Sequence, residues 1–331
     1  MHLPTPCGPV SSHVIESLSG RGTASAPATA GGGSVLTDRD AQLALWTTYE
    51  LSFRGFEGVD PSREWDIGLI ELRLALESRF EAELRAVTDE RVVAGVSRDG
   101  DVGDLVLALV QDDDGPHLSS YLRRDATADQ MRDYLRERSV QQLKESDPQA
   151  FLVPRLQGAA KVALAELQYD EFGAGTPSRL HQDMYARTLA AVGLEPAYGA
   201  YVDEVSAISL ASANVMSMFA LNRRLVAAGV GHFAAFEASS SVPSRRVSAG
   251  LDRLGLSAAA EYFDEHVEAD AVHEQVAARD ICGSVVREDP GLLGEVVFGV
   301  MCALHLDALS GVELLTRFGA MDTPGTHAAA S

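Results

Sequence analysis

A chain of 331 residues, 46% of them hydrophobic and 23% charged, has the material for one large domain or two ordinary ones with a dry core. Its 27 Lys and Arg stand against 48 Asp and Glu, a formal net charge of −21. A field of that sign repels phosphate backbones and anionic headgroups, which argues against nucleic-acid binding and polybasic membrane docking, and the chain is too rich in Leu, Val, Ile and Ala for acidic disorder.

The first 37 residues read as a flexible N-terminal segment. Gly20–Ser34 (GRGTASAPATAGGGS) cannot bury enough surface to offset its ordering entropy, although Val10–Leu18 is apolar enough for a short docked helix. No basic stretch followed by an apolar core suggests a signal peptide, and Val296–Leu306 falls short of the roughly 20 apolar residues a membrane helix needs. Cys7, Cys282 and Cys302 have neither disulfide nor zinc-site spacing. A cytoplasmic location is the expectation.

From residue 38 to 320 nearly every segment carries helical periodicity. Glu64–Arg85 places Ile67, Ile70, Leu72, Leu74, Leu76, Phe80 and Leu84 on a helix. Arg91–Val96 and Val102–Val110 are the two stretches that resemble strands, and the second reads equally well as a helix. Thr127 and Gln130 form a capping box ahead of Met131, Tyr134, Leu135 and Leu143. Gln157–Phe172 predicts a helix stopped by Gly173 and Gly175, and Thr176-Pro177 predicts the start of another, with His181 one turn inside it. Further helices are predicted over Val205–Ala228 with Gly229 as its stop, over Ser244–Leu254, over Ser257–Ile281, and from Pro290 to about Phe318. Residues 321–331 read as a disordered tail. The expected architecture is all-α, a single bundle-like domain of about eight or nine helices.

Three stretches carry chemistry. In EYFDEHVEADAVHE, His266, Asp270 and His273 stand at i, i+4 and i+7, about 0°, 40° and −20° around one helix, so two imidazoles and a carboxylate share a narrow stripe. Such a set suits iron or manganese. A solvated acidic face that happens to hold two histidines would look the same. Glu171 closes one helix and His181 begins the next, across the Gly173-Ala174-Gly175 turn. Glu145 stands at the end of the Thr127 helix, in KESDP. Taken together, carboxylates and imidazoles from separate helices of a bundle are the inventory of a two-metal site.

These residues give the chain a resemblance to the haem-oxygenase-like diiron oxidases and oxygenases, the iron-containing redox enzyme family. It rests on KESDP, on PRLQGAAKVALAELQYDEFGAGTPSRLH, on NVMSMFALNRR and GHFAAFEASSSVPSRR, and on DEHVEADAVHE. It spans residues 40–318 and is densest over 140–281. The family pattern is a Glu, a second Glu 26 positions on, a His 10 further, then H-x3-D/E-x2-H. Glu145, Glu171, His181, His266, Asp270 and His273 fill it.

The resemblance implies a haem-oxygenase-like helical bundle without haem, holding two irons that react as Fe(II) with O2, with mixed manganese/iron occupancy also suited to the ligands. It further implies Glu171 as a bridge, Glu145 as a shifting carboxylate, His181 on one iron, and His266, Asp270 and His273 mostly on the other. A small-molecule substrate and an external electron donor follow, and a homodimer is common on this fold. The reaction would be N-oxygenation of an amine or amino acid, or oxidative desaturation or C–C cleavage. Val205–Phe236 should line the space above the metals. An amine substrate would want Glu237, and a carboxylate substrate Arg245 or Arg246. Two alternatives are a thiaminase-like or haem-processing enzyme on the same fold, and a non-catalytic metal-binding protein.

Overall fold

The structure, a computed structural model, describes residues 1–20 and 33–322, with the side chains of 268–271 outside that description. Among the described residues there is no strand. The helices run α1 (Pro9–Leu18), α2 (Arg39–Glu50), α3 (Ile67–Val96), α4 (Val102–Gln111), α5 (Leu118–Arg124), α6 (Ala128–Gln142), the single turn α7 (Asp147–Ala150), α8 (Gly158–Glu171), α9 (His181–Ala191), α10 (Ala207–Leu221), α11 (Val226–Arg253), α12 (Glu261–Gln275), α13 (Gly283–Glu288) and α14 (Leu293–Arg317).

Both strand-like stretches are helical. Arg91–Val96 is the last part of α3, and Val102–Val110 lies in α4, begun by Asp101, whose carboxylate accepts from the Gly103 and Asp104 amides. Clustered valines in a short run do not distinguish a buried helix face from a strand. The capping box at Thr127 and Gln130 is formed. Residues 1–20 are packed rather than loose: α1 lies against α2, its Val10 and Ser11 amides donating to Asp40. The Gly20–Ser34 segment lies largely outside the described residues, as does most of the 321–331 tail.

The central helix is α11, which packs against α14, α12, α5 and α4. It does not stop at Gly229. Instead α10 ends at Leu221, a 3-10 turn follows over Arg223–Leu225, and α11 continues unbroken from Val226 through Gly229, Gly231 and Pro243. The glycines serve a close helix crossing: a Cβ on Gly231 would come 2.0 Å from the Val296 carbonyl oxygen, and one on Gly299 of α14 would come 1.9 Å from that of Ala228. At that approach Gly is chosen for its missing side chain, not to end a helix. Ser244–Leu254 is accordingly the continuation of α11.

Likewise α12, a π-helical segment (Val276–Cys282) and α13 form one run that passes Gly283 and ends at Glu288. Helix α14 is long and apolar enough to cross a membrane by composition alone, but half of its most apolar window is buried. Val296, Val297, Val300 and Cys302 are fully enclosed against its neighbours. Each aliphatic side chain buried in this way contributes about 1.5–3 kcal/mol of transfer free energy.

Candidate metal centre

The ends of α6 and α8, the start of α9 and the middles of α11 and α12 bring their polar residues to one buried place. After α6, Ser146 takes a left-handed backbone with φ 67°, uncommon for a residue with a side chain, and this bend precedes the Asp147-Pro148 turn. Glu145 and Ser146 are thereby both turned inward, 6% and 2% exposed. After α8, Gly173, Ala174 and Gly175 all have positive φ. A Cβ on Gly173 would lie 2.5 Å from the Thr176 oxygen, so this corner closes tightly behind Glu171. Pro177 opens a 3-10 turn and not the helix itself. Leu180 is non-helical, and His181 is consequently the first residue of α9 rather than one turn inside it.

The side chains form two ligand groups that share one member. Glu145, Glu171, His181 and His266 each present an atom within 4.8 Å of the others, and so do Glu171, Glu237 and His273. Glu171 faces the groups with different oxygens. Its Oε2 lies 3.1 Å from His181 Nδ1, and its Oε1 lies 3.4 Å from His273 Nδ1. Ser146 Oγ donates to the same Oε2 at 3.0 Å. In the first group His266 Nε2 is 3.5 Å from Glu145 Oε1, and the His181 and His266 rings are 4.6 Å apart. In the second, His273 Nδ1 is 3.5 Å from Glu237 Oε2.

Five of the six residues of the family pattern therefore meet. Asp270 lies on α12 between His266 and His273, and its side chain is outside the described residues. The histidines of α12 divide between the groups, so His266 sides with His181 and not with His273. Glu237, read from the sequence as an amine contact, stands inside the second group.

Three buried carboxylates stand beside three buried imidazoles. Burial alone would raise the Glu171 carboxyl, but His181 and His273 outweigh it and hold it well below the usual carboxylate range. Burial disfavours the charged form of His273, yet Glu171 and Glu237 push its pKa up to about 11. His181 is raised in the same sense by Glu171 against its own burial.

The imidazoles also have the polarity a metal requires. His266 Nδ1 lies 2.7 Å from the Tyr262 carbonyl oxygen and so carries the proton, leaving the Nε2 lone pair toward Glu145. His273 Nε2 donates to Asp170 at 3.4 Å, so that Nδ1, once its proton has left, offers its lone pair toward Glu171 and Glu237. The buried Nδ1 atoms of His181 and His273 approach their carboxylates without hydrogen-bond alignment. Lone pairs that converge with carboxylate oxygens off the hydrogen-bond line fit a cation held between them, and the nitrogen and oxygen donors suit iron or manganese.

A cavity of about 700 Å³ reaches this place, with Gln142, Glu145, Tyr262 and His266 on its wall. Helix α11 lines it from His232 to Arg246, with Phe236, Ser239 and Pro243 between them and Ala238, Ser240, Val242 and Ser244 also on the wall. Burial brings the pKa of His232 down to about 4, so it is a neutral group. Arg245 is exposed and off this wall. Its neighbour Arg246 is on the wall and donates to Ser119 Oγ at 3.2 Å. Arg224 is committed elsewhere, in an ion pair with Glu81.

Comparison with known proteins agrees with the all-α fold and with an iron-dependent redox family. Residues 132–308, more than half of the chain, match the profile of a family described as iron-containing redox enzyme. The chain belongs to that family. It is also 28% identical over 160 residues to a nitrosourea synthase from Streptomyces achromogenes subsp. streptozoticus, an alignment that covers 48% of this chain and 34% of the relative. The chain thus spans about a third of that relative's length.

Proposed function

We propose that this chain is a non-haem diiron oxidase or oxygenase that uses dioxygen to oxidise a small metabolite, with N-oxygenation of an amine or amino acid ahead of desaturation or C–C cleavage. The observation that carries the reading is Glu171, which presents one oxygen to each of two buried ligand groups. Glu145, His181 and His266 would hold one iron, Glu237 and His273 the other, with Asp270 assigned by the family pattern alone. A manganese/iron pair suits the same donors. When bound, the metals supply electrons to dioxygen and the oxidising power turned on the substrate, and an external donor must restore those electrons. The name of the nitrosourea synthase, a producer of an oxidised nitrogen group, favours nitrogen as the atom attacked.

The chain's own residues divide the remaining work. The neutral His232 and the ring of Phe236 leave the inner α11 wall uncharged, which favours a substrate group that reaches the metals without a charge. Among the described residues no carboxylate stands within ion-pair distance of Arg246, and its guanidinium is suited to an anionic end of the substrate. A thiol-nucleophile reading gains nothing: Cys282 and Cys302 are buried, burial pushes the Cys282 thiol up to about 12, and Cys7 is not on the cavity wall.

The test is to supply iron-loaded protein with a chemical reductant, isotopically labelled dioxygen and a panel of amines, amino acids and fatty acids. Mass spectrometry should find labelled oxygen on nitrogen in an amine or amino acid. Desaturated or shortened products would move the reading to the second reaction class, and the absence of any oxidised product across the panel would contradict it.

A further inference from the structure

Tyr262 touches two members of the first ligand group through two different atoms. Its phenol donates to Glu145 Oε2 at 2.8 Å, and its backbone carbonyl accepts from His266 Nδ1 at 2.7 Å. The side chain is buried, its ring set edge-on against Tyr185 and Phe263 at 4.9 and 5.2 Å and lying 4.2 Å from the His266 ring. Gln142 Nε2 donates to the phenol oxygen at 2.8 Å. The oxygen is thus supplied with a donor from one side, and its single hydrogen is committed to Glu145 on the other. One carboxylate oxygen of Glu145 is tied to the phenol while Oε1 is turned toward His266.

We propose that Tyr262 is a positioning residue that fixes the coordination mode of Glu145, keeping Oε1 for the metal and withholding Oε2. The proposal rests on the metal reading of the preceding subsection and goes beyond it by naming what holds a ligand in place. The carbonyl contact to His266 is a main-chain feature that any residue at 262 provides, whereas the phenol contact is specific to tyrosine. Tyr262→Phe therefore removes one effect and keeps the other, along with the ring packing. Hydrogen-bond partners of metal ligands are worth about 10–100-fold in metal affinity when removed. Here the loss falls on the group of Glu145, His181 and His266. Among the described residues, the polar and ring contacts of Tyr262 run to Glu145, His266, Gln142, Tyr185 and Phe263, on the side of the first group.

The experiment titrates Co(II), a spectroscopic probe, into wild type, Y262F, E145Q and the double variant, following the visible bands and the heat of binding, with circular dichroism as the check on folding. Y262F should bind Co(II) at two sites with one weakened about tenfold or more and the other unchanged, with altered visible bands from the weakened site. In the E145Q background the same substitution should add little, because it acts through the carboxylate that is already altered. Binding and spectra of Y262F equal to wild type, or a full additional loss on top of E145Q, would overturn the proposal while leaving two-metal binding intact. A wild type that takes up no Co(II) and no Fe(II) would instead overturn the metal reading, and the proposal with it. Should Y262F fail the folding check, fluorotyrosine incorporated at 262 keeps the shape and changes the acidity of the phenol: a shifted Co(II) spectrum supports the proposal, and an unshifted one overturns it.

Discussion

Glu171 belongs to both candidate ligand groups, whereas each remaining residue belongs to one, and under the proposed two-metal site this makes substitutions unequal. Glu171→Ala should lower bound iron from about two per chain to well under one, since it removes a donor from both ions. His181→Ala and Glu237→Ala should each leave about one, at opposite sites. Iron analysis after anaerobic loading checks this, and equal losses in all three variants would contradict the division. Proton linkage follows from the same residues. His273 without metal keeps a proton up to a pKa of about 11, and that proton must leave before Nδ1 can ligate. Metal affinity at the second group should therefore rise with pH throughout the neutral range, by about tenfold per pH unit for each proton displaced, and fall as the solution is made acid. Titration in weakly buffered solution should detect the released proton, and an affinity independent of pH would contradict a metal bound at that nitrogen. Apart from Glu237, the residues that converge here stand out in the sequence by type and spacing, while the grouping of His266 with His181 differs from the division the resemblance implies. Seven residues of helix separate His266 from His273 by about 10 Å, a rise that already argues against one ion holding both.

At the scale of the element, glycines and a proline account for the departures of structure from expectation in the long helices. Gly229 and Gly283 have the look of helix stops, yet both lie inside helical runs. Local propensity cannot report that α11 and α14 cross closely enough for a methyl group at Gly231 to meet a carbonyl. A helix that ended at Gly229 would leave Glu237 without the helical frame that turns it toward His273. Gly231→Ala should cost about 1–3 kcal/mol as overpacking, seen as a drop in Tm, while Gly294→Ala, whose Cβ would meet nothing within 4 Å, should be neutral or stabilising by up to about 1 kcal/mol. Equal Tm values for the two variants would contradict the close crossing. Pro243 is the second departure. It sits inside α11, where it can neither donate to the helix ladder nor pack as an ordinary helix residue, and it lies on the cavity wall between Ser239 and Arg246. Its cost to the helix falls where the helix lines the cavity, and a sequence window by itself reads that cost as a boundary.

Across the whole molecule, the all-α architecture was legible because most helices carry clear periodicity and several carry sequence-encoded caps, such as Thr127 with Gln130 and Asp66 at the start of α3. The packing of α1 on α2 was less so, since it depends on Asp40 meeting the amides of Val10 and Ser11 across a composition that suggests only a linker. The cavity is a property of the assembled bundle: its α11 lining, its Gln142 and Tyr262 wall and its Arg246 come from segments brought together by folding. That assembly places two ligand groups, joined by one carboxylate, beside a space large enough for a small metabolite. The central claim is that these groups hold two irons that react with dioxygen. The measurement that tests it most directly is iron per chain after anaerobic loading with Fe(II), followed by mixing with dioxygen in a stopped-flow spectrometer. About two irons per chain and a transient visible absorption that decays faster with substrate are the predicted result. One iron or none, with no transient on exposure to dioxygen, would contradict it.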